Sequence, residues 1–169
     1  MKWILIMICV YISPGESERQ VYVQRYKDVA IIEMHRQGVP ASIKLAQAIL
    51  ESRSGTSTFA LSSNNHFGIK CKKYWQGETY YQKDDDRDKQ GNLTESCFRS
   101  YDRVLESYVD HSNFLAHRDN YTSLFFLSRT DYKGWAHGLK KCGYATDPQY
   151  AEKLISIIER EDLAQYDYL

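Results

Sequence analysis

The sequence lacks an excess of charge of either sign. It has 22 Lys and Arg residues against 22 Asp and Glu residues, which gives a formal net charge of zero over 169 residues. A protein that binds nucleic acids by releasing counterions from phosphates shows a basic excess, so we expect no nucleic-acid partner. The chain length suits one domain, and an apolar fraction of 43% is high enough for a packed core.

An uncharged run long enough to cross a membrane is also absent. After Met1-Lys2, an apolar run covers residues 3–12 and is broken by Ser13-Pro14-Gly15. Such a run is too short for a hydrocarbon core of roughly 30 Å, but a positive start followed by it is typical of a secretory signal. We therefore expect a signal peptide at 1–17 and export to the periplasm or the exterior. The mature domain would cover 18–169 without stable membrane insertion; an uncleaved anchor is the alternative.

Cysteine is scarce and has no metal-binding spacing. The four cysteines form no C-x-x-C motif and the five histidines are scattered, so we expect no metal site and no cofactor. Removal of a signal peptide would take Cys9 away, and one pair of the remaining three can close in an oxidising compartment. Cys71 and Cys97 bracket a hairpin-like segment and are the favoured pair. Three buried thiols are the alternative.

Hydrophobic periodicity predicts a mostly helical α+β domain with one β-hairpin lobe. Helical spacing appears at 21–37 with Gly38 after it, at 40–55, at 104–115, at 131–141 and after Asp147-Pro148. Strands are predicted at 77–81 and 93–98, with the charged stretch 84–92 between them. A cleft between the helical part and the hairpin is the natural place for a ligand.

Glu51 is the carboxylate that its position singles out. It follows Leu50 on the shoulder of an apolar stripe, in the last turn of the second predicted helix. The negative end of the helix dipole and partial burial both raise the pKa of a carboxyl group at such a position. A raised pKa suits a general acid that must hold its proton near neutral pH. The alternative is a solvated glutamate at a helix end.

Several motifs in order resemble the family 73 glycoside hydrolases, the endo-β-N-acetylglucosaminidases of bacterial cell-wall turnover. The likeness begins with LAQAILES at 45–52, Gly55-Thr56-Ser57 and NNHFGIK at 64–70. It continues through Trp75-x-Gly77, Cys97-Phe98-Arg99-x-Tyr101, Asp110-His111, Phe114-Leu115 and GYATDPxYA at 143–151, and it covers about residues 20 to 160. The resemblance implies a lysozyme-like fold. It also implies hydrolysis of the β-1,4 bond on the reducing side of N-acetylglucosamine in the glycan strands of peptidoglycan.

The resemblance also assigns catalytic roles. It places the general acid on Glu51 and a second acidic residue on the hairpin, where Asp85 and Asp86 are the nearest candidates and Asp84 is a weaker third. The alternative for these aspartates is a solvated charge run at a loop tip. Two further acids, Glu78 and Glu95, lie on the predicted strands and are minor candidates.

Aromatic and amide side chains complete the predicted cleft. The resemblance places Tyr144 in the cleft, where its hydroxyl could orient the N-acetyl group of the sugar or a water molecule. We expect Asn65 and Phe67 to shape the cleft floor, although for Phe67 a role in the core is favoured. Tyr121 and Tyr150 are expected either to stack on sugar faces or to pack in the core. Two other functions stay open at this point. One is a muramidase or lytic transglycosylase, and the other is a non-catalytic peptidoglycan-binding protein with a decayed cleft.

Overall fold

The computed structural model describes residues 17–169, except for the side chains of Asp85 and Asp86. The predicted signal peptide, apart from Ser17, lies outside the described residues. The described part is mostly helical with one antiparallel pair of strands, which confirms the predicted class. Its helices are α1 (Glu18–Gln37), α2 (Ala41–Ser52), α3 (Thr58–Ser63), α4 (Val104–Ala116), α5 (Tyr132–Lys141) and α6 (Tyr150–Arg160), its strands are β1 (Thr79–Arg87) and β2 (Leu93–Arg99), and 3₁₀ segments cover Asp119–Phe126 and Leu163–Tyr168.

Helix α2 forms the centre of the fold. Nearly all of its residues are buried, and it packs against α1, α5, α6 and the C-terminal 3₁₀ segment. Pro40 provides no side-chain cap at its start. The carboxylate of Asp167 replaces the cap, because it accepts hydrogen bonds from the backbone N–H of Ser42 at 2.8 Å and from the Ser42 hydroxyl at 2.5 Å. The C-terminus of the chain is thereby fixed to the helix that carries Glu51.

Helix α2 ends earlier than its sequence suggests. The helix was expected to reach Gly55, but Arg53 already adopts a left-handed conformation with φ of 53° and its N–H bonds to the carbonyl of Ile49. The hydroxyl of Ser52 accepts a hydrogen bond from the N–H of Gly55 at 2.7 Å, which holds the chain in a turn. Glu51 is consequently the penultimate helical residue, one position before Ser52. By contrast, α1 ends as predicted at Gly38, whose φ is 85°.

The β-hairpin is longer than the sequence predicts. Strand β1 runs on through the charged residues to Arg87, with a register irregularity between Lys83 and Arg87, so the predicted loop at 84–92 is too long. The turn is short because Asp88 Oδ1 accepts hydrogen bonds from the backbone N–H groups of Gln90 and Asn92, both at 2.9 Å. Lys83 and Arg87 need no hydrophobic face, because both are exposed on the two-stranded hairpin.

A disulfide fixes the base of the hairpin. Cys71 and Cys97 are bonded, which confirms the favoured pair, while Cys142 is a free thiol. The bridge joins the segment before β1 to β2, and the backbone N–H of Cys71 also donates to the carbonyl of Cys97 at 2.8 Å. Within residues 17–169, no helix combines the length and the apolar character that a membrane crossing requires.

Candidate active site

A cleft of about 840 Å³ separates the helical body from the hairpin. Its walls come from the end of α2, the segment 67–72, the cleft-facing side of the hairpin, the end of α4, the segment 118–121 and the residues around the start of α6. The predicted cleft therefore exists, and residues distant in sequence converge on it. Those from the predicted set that line it are Glu51, Phe67, Tyr121, Tyr144 and Tyr150.

Glu51 lies in this cleft with one carboxylate oxygen held. The hydroxyl of Tyr150 donates a hydrogen bond to Glu51 Oε1 at 3.0 Å. Burial raises the pKa of Glu51 to about 7, the hydrogen bond from Tyr150 opposes the rise, and the negative charge of Asp84 adds to it. The direction is the one expected from the sequence, and burial is its largest cause. Glu51 can therefore hold a proton near neutral pH and release it to a bound group.

Gln47 orients the hydroxyl that contacts Glu51. It lies one helical turn before Glu51 on α2, and its side-chain amide donates to the Tyr150 hydroxyl at 2.9 Å. Because that hydroxyl accepts from Gln47, its own proton is directed at Glu51 Oε1. Gln47 was not predicted as a site residue from the sequence. The signal that could have found it is its spacing of four residues from Glu51, which places both side chains on one helix face.

Tyr144 and Tyr150 form an aromatic wall beside Glu51. Their rings stack with centroids 5.7 Å apart, and the Tyr144 hydroxyl donates to the carbonyl of Phe67 at 3.3 Å. Burial, reinforced by the nearby charge of Glu51, raises the pKa of Tyr144 well above its ordinary value, so the phenol stays neutral. Tyr150 and Tyr121 are only 2% and 3% exposed, and their rings serve mainly as packed wall of the cleft.

Phe67 and Asn65 build the floor in different ways. The Phe67 ring is buried at the cleft bottom and stacks on the His111 ring at 4.0 Å. Asn65 is fully buried and does not line the cleft. Its amide nitrogen donates to the carbonyls of Ile69 and Arg99, and its oxygen accepts from the N–H groups of Phe67 and Ile69. Asn65 thus shapes the floor from below by satisfying the backbone of the loop that carries Phe67.

The hairpin contributes Asp84 to the cleft. Its carboxylate lies 2.7 Å from the ammonium of Lys70, and both residues line the cavity opposite Glu51's helix. The side chains of Asp85 and Asp86 lie outside the described part of the structure, so their catalytic assignment stays a prediction from the sequence. Glu78 and Glu95 are exposed and do not line the cleft.

Among the described residues, neither a cluster of metal ligands nor Arg53 borders Glu51 in the cleft. No group of three or more His, Cys, Asp or Glu side chains in the described ranges is arranged to hold a metal ion. Arg53 is exposed and is not among the residues that line the cleft. The pKa of Glu51 is therefore determined by its own burial, by the hydrogen bond from Tyr150 and by the charge of Asp84.

The fold and the site together define a class. A central buried helix that presents a high-pKa carboxyl group to a cleft, opposite a small hairpin, is the arrangement of a lysozyme-like domain. Solved structures agree: the catalytic domain of the autolysin Auto from Listeria monocytogenes superposes with a TM-score of 0.77 at 25% identity, over 92% of this chain and 91% of that one. A peptidoglycan hydrolase from Sphingomonas sp. A1 superposes with a TM-score of 0.70 at 29% identity, over 87% of this chain and 92% of that one.

The chain belongs to the glucosaminidase family, because the family model described as mannosyl-glycoprotein endo-beta-N-acetylglucosaminidase matches residues 27–163. This confirms the family expected from the motifs. The exo-glucosaminidase LytG of Bacillus subtilis is 35% identical over 155 residues, which are 89% of this chain and 54% of LytG. The peptidoglycan hydrolase FlgJ of Vibrio cholerae is 33% identical over 145 residues, 83% of this chain and 43% of FlgJ. The chain thus spans about half the length of these relatives.

Proposed function

We propose that this chain is a peptidoglycan hydrolase that cleaves the β-1,4 bond on the reducing side of N-acetylglucosamine. Family membership supports the glycosidase reaction, and relatives named as glucosaminidase or peptidoglycan hydrolase support the substrate. The observation that carries the proposal is Glu51, a carboxyl group with a pKa near 7 inside a cleft walled by tyrosines. Hydrolysis of a glycosidic bond requires an acid of this kind to protonate the leaving oxygen.

The hydrogen bonds around Glu51 determine which oxygen holds the proton. Oε1 accepts the hydrogen bond from Tyr150, so the acidic proton belongs on Oε2. Gly68 lies on the Oε2 side of the carboxyl group, where an added Cβ would be in ordinary van der Waals contact with Oε2 at 3.9 Å. In the proposed reaction, Oε2 gives its proton to the glycosidic oxygen, and the C1–O bond of N-acetylglucosamine breaks. Glu51 is left ionised. A water molecule then adds to C1 of the sugar and loses a proton, which returns to Glu51 directly or through solvent, so the hydrolysis is complete and the acid is restored.

The positive charge that develops on the sugar needs a counterpart. Asp84, which lines the cleft and is paired with Lys70, supplies a carboxylate on the opposite wall. The acetamido oxygen of the substrate is the other group that can stabilise this charge. To steady that oxygen, the Tyr144 hydroxyl would turn its proton from the carbonyl of Phe67 to the substrate. Asp85 and Asp86 remain candidates from the sequence for the same role. No cofactor enters this scheme.

We place the enzyme in the cell envelope. Relatives named for peptidoglycan act on a polymer found there, and the N-terminal residues have the layout of a secretory signal. The Cys71–Cys97 disulfide supports export, because such bonds persist in oxidising compartments. N-terminal sequencing of the protein recovered from the envelope tests this placement, which predicts a new terminus close to Ser17.

Product analysis tests the reaction. Purified peptidoglycan is digested with residues 18–169, the new reducing ends are reduced with borohydride, and the fragments are mass-analysed. The proposal expects reduced N-acetylglucosamine at the new ends. Reduced N-acetylmuramic acid, heavier by the lactyl group, would identify a muramidase, and an anhydro-sugar end would identify a lytic transglycosylase. Binding without new ends would identify a non-catalytic protein. Early appearance of long fragments would distinguish endo from exo cleavage.

A further inference from the structure

A second cavity of about 470 Å³ adjoins the cleft. Two arginines are among its lining side chains, although more of the lining surface is apolar than polar. It shares Phe114 and Arg118 with the cleft, so these two side chains form the boundary between the two spaces. The remaining residues of its lining are Tyr74, Arg99, Asp110, Asn113 and His117. The proposed glycosidase reaction uses none of these seven residues.

Of the two arginines in this cavity, one is paired with a carboxylate of the described residues and the other is not. Arg99 is buried and its guanidinium bonds both oxygens of Asp110, at 2.7 and 2.8 Å, so that pair is neutral. Arg118 has no such partner: no carboxylate of the described residues pairs with it. Its guanidinium lies 4.1 Å from the centre of the Phe114 ring and donates to the Tyr74 hydroxyl at 3.0 Å. These contacts hold the cation in place and leave further N–H donors open.

A fixed guanidinium with open donors matches a carboxylate, which it can bind through two parallel hydrogen bonds. A ligand that reaches Arg118 while a glycan strand fills the cleft must branch from that strand, because Arg118 borders both spaces. The sugar rings of peptidoglycan are uncharged, whereas the peptide attached to the lactyl group carries carboxylates.

We propose that the cavity around Arg118 binds a carboxylate of the stem peptide, and that the enzyme therefore prefers peptide-bearing strands over bare glycan. The inference rests on the proposed function, because it needs a glycan strand in the cleft. Tyr74 acts as a positioning residue, since its hydroxyl accepts from Arg118 and, at 3.2 Å, from Arg99.

The test compares two soluble substrates: uncross-linked strands that carry their peptides, and the same strands after an amidase has removed them. For Arg118→Gln we expect kcat/KM on peptide-bearing strands to fall about tenfold further than kcat/KM on bare glycan, as for loss of one charge-assisted contact. Tyr74→Phe should give a smaller loss with the same selectivity. The matched control is Arg103→Gln, which removes the same charge from an exposed pair with Glu106 outside both cavities.

Two results would overturn the proposal. One is a wild-type enzyme that cleaves both substrates equally well, and the other is an Arg118→Gln variant that loses activity on both substrates to the same extent. Equilibrium binding of the two substrates to Glu51→Gln, with and without Arg118→Gln, gives a readout that needs no cleavage. If the wild type cleaves neither substrate but binding still depends on peptide and Arg118, the hydrolase function fails and the peptide site stands. If the two substrates bind equally well with and without the peptide, the proposed peptide site does not exist.

Discussion

Ionisation of Glu51 should destabilise the folded protein, and this can be measured without any substrate. Burial raises the pKa of Glu51 from an ordinary value of 4.5 to about 7. The stabilisation associated with the neutral carboxyl is therefore fully present below about pH 4.5 and is lost as the pH rises through 7. Glu51→Gln removes the ionisation and keeps an oxygen that accepts the Tyr150 hydrogen bond. The variant should thus gain stability relative to wild type as the pH rises.

The size of the effect follows from the pKa. A rise from 4.5 to about 7 corresponds to about 3 kcal/mol at roughly 1.4 kcal/mol per pKa unit, and partial solvent access to the cleft lowers this to about 2–3 kcal/mol. For a domain of this length, each kcal/mol moves Tm by about 2–4 °C. The Tm of Glu51→Gln minus that of wild type should therefore increase by about 4–12 °C between about pH 4.5 and about pH 8.5.

The assay is thermal or urea unfolding of both proteins at several pH values across this range. Buried groups such as Lys44 and His66 also titrate, but they are common to both proteins and cancel in the difference. Glu78→Gln is the matched control, because it removes an exposed carboxylate outside the cleft, and the change for Glu51→Gln should exceed the change for this variant. A Glu51→Gln difference that does not change with pH, or that falls as the pH rises, would refute the assignment of Glu51 as a buried, neutral acid.

Three further predictions concern Tyr150, Asp84 and the Cys71–Cys97 disulfide. Tyr150→Phe removes the hydrogen bond that lowers the pKa of Glu51, so the alkaline limb of the pH–rate profile should move up by about one pH unit; a downward move would contradict this contact. Asp84→Asn removes a charge that raises the same pKa, so activity should fall and the limb should move to lower pH, and full activity would exclude Asp84 from the reaction. Replacing Cys71 and Cys97 by alanine opens a link across a sequence separation of 26 and should cost about 3 kcal/mol in urea unfolding, whereas equal stability of wild type with and without reductant would show that the bond contributes nothing.

Helix α2 shows how far periodicity can predict this fold. One apolar stripe was sufficient to predict the helix and to place Glu51 on its shoulder. The stripe does not reveal that α2 is surrounded on nearly every side, which buries Lys44 and Gln47 as well. Lys44 is tolerated there because it bonds the carbonyl of Tyr108 and the ring nitrogen of His111, both far away in sequence. Such partners come from tertiary packing, which a local pattern does not contain.

The hairpin and the cleft show the same limit. The strands were predicted from their apolar and β-branched residues, but the charged end of β1 was read as loop, because its side chains contribute no hydrophobic alternation. The family resemblance ranked Asp84 below its two neighbours in the sequence, although Asp84 lines the cleft. The hydrogen bond between Tyr150 and Glu51 joins residues 99 positions apart. Sequence could place both residues in the site but not show that one sets the proton position of the other.

The role of Glu51 is tested most directly by measuring the reducing ends released from purified peptidoglycan by wild type, Glu51→Gln and the control Glu78→Gln. Circular dichroism and unfolding curves confirm that each protein is folded. If Glu51 is the general acid, we expect Glu51→Gln to lose activity by on the order of a thousandfold, while Glu78→Gln keeps wild-type activity. A folded Glu51→Gln variant whose cleavage rate is within about threefold of the wild-type rate would show that Glu51 is not the general acid.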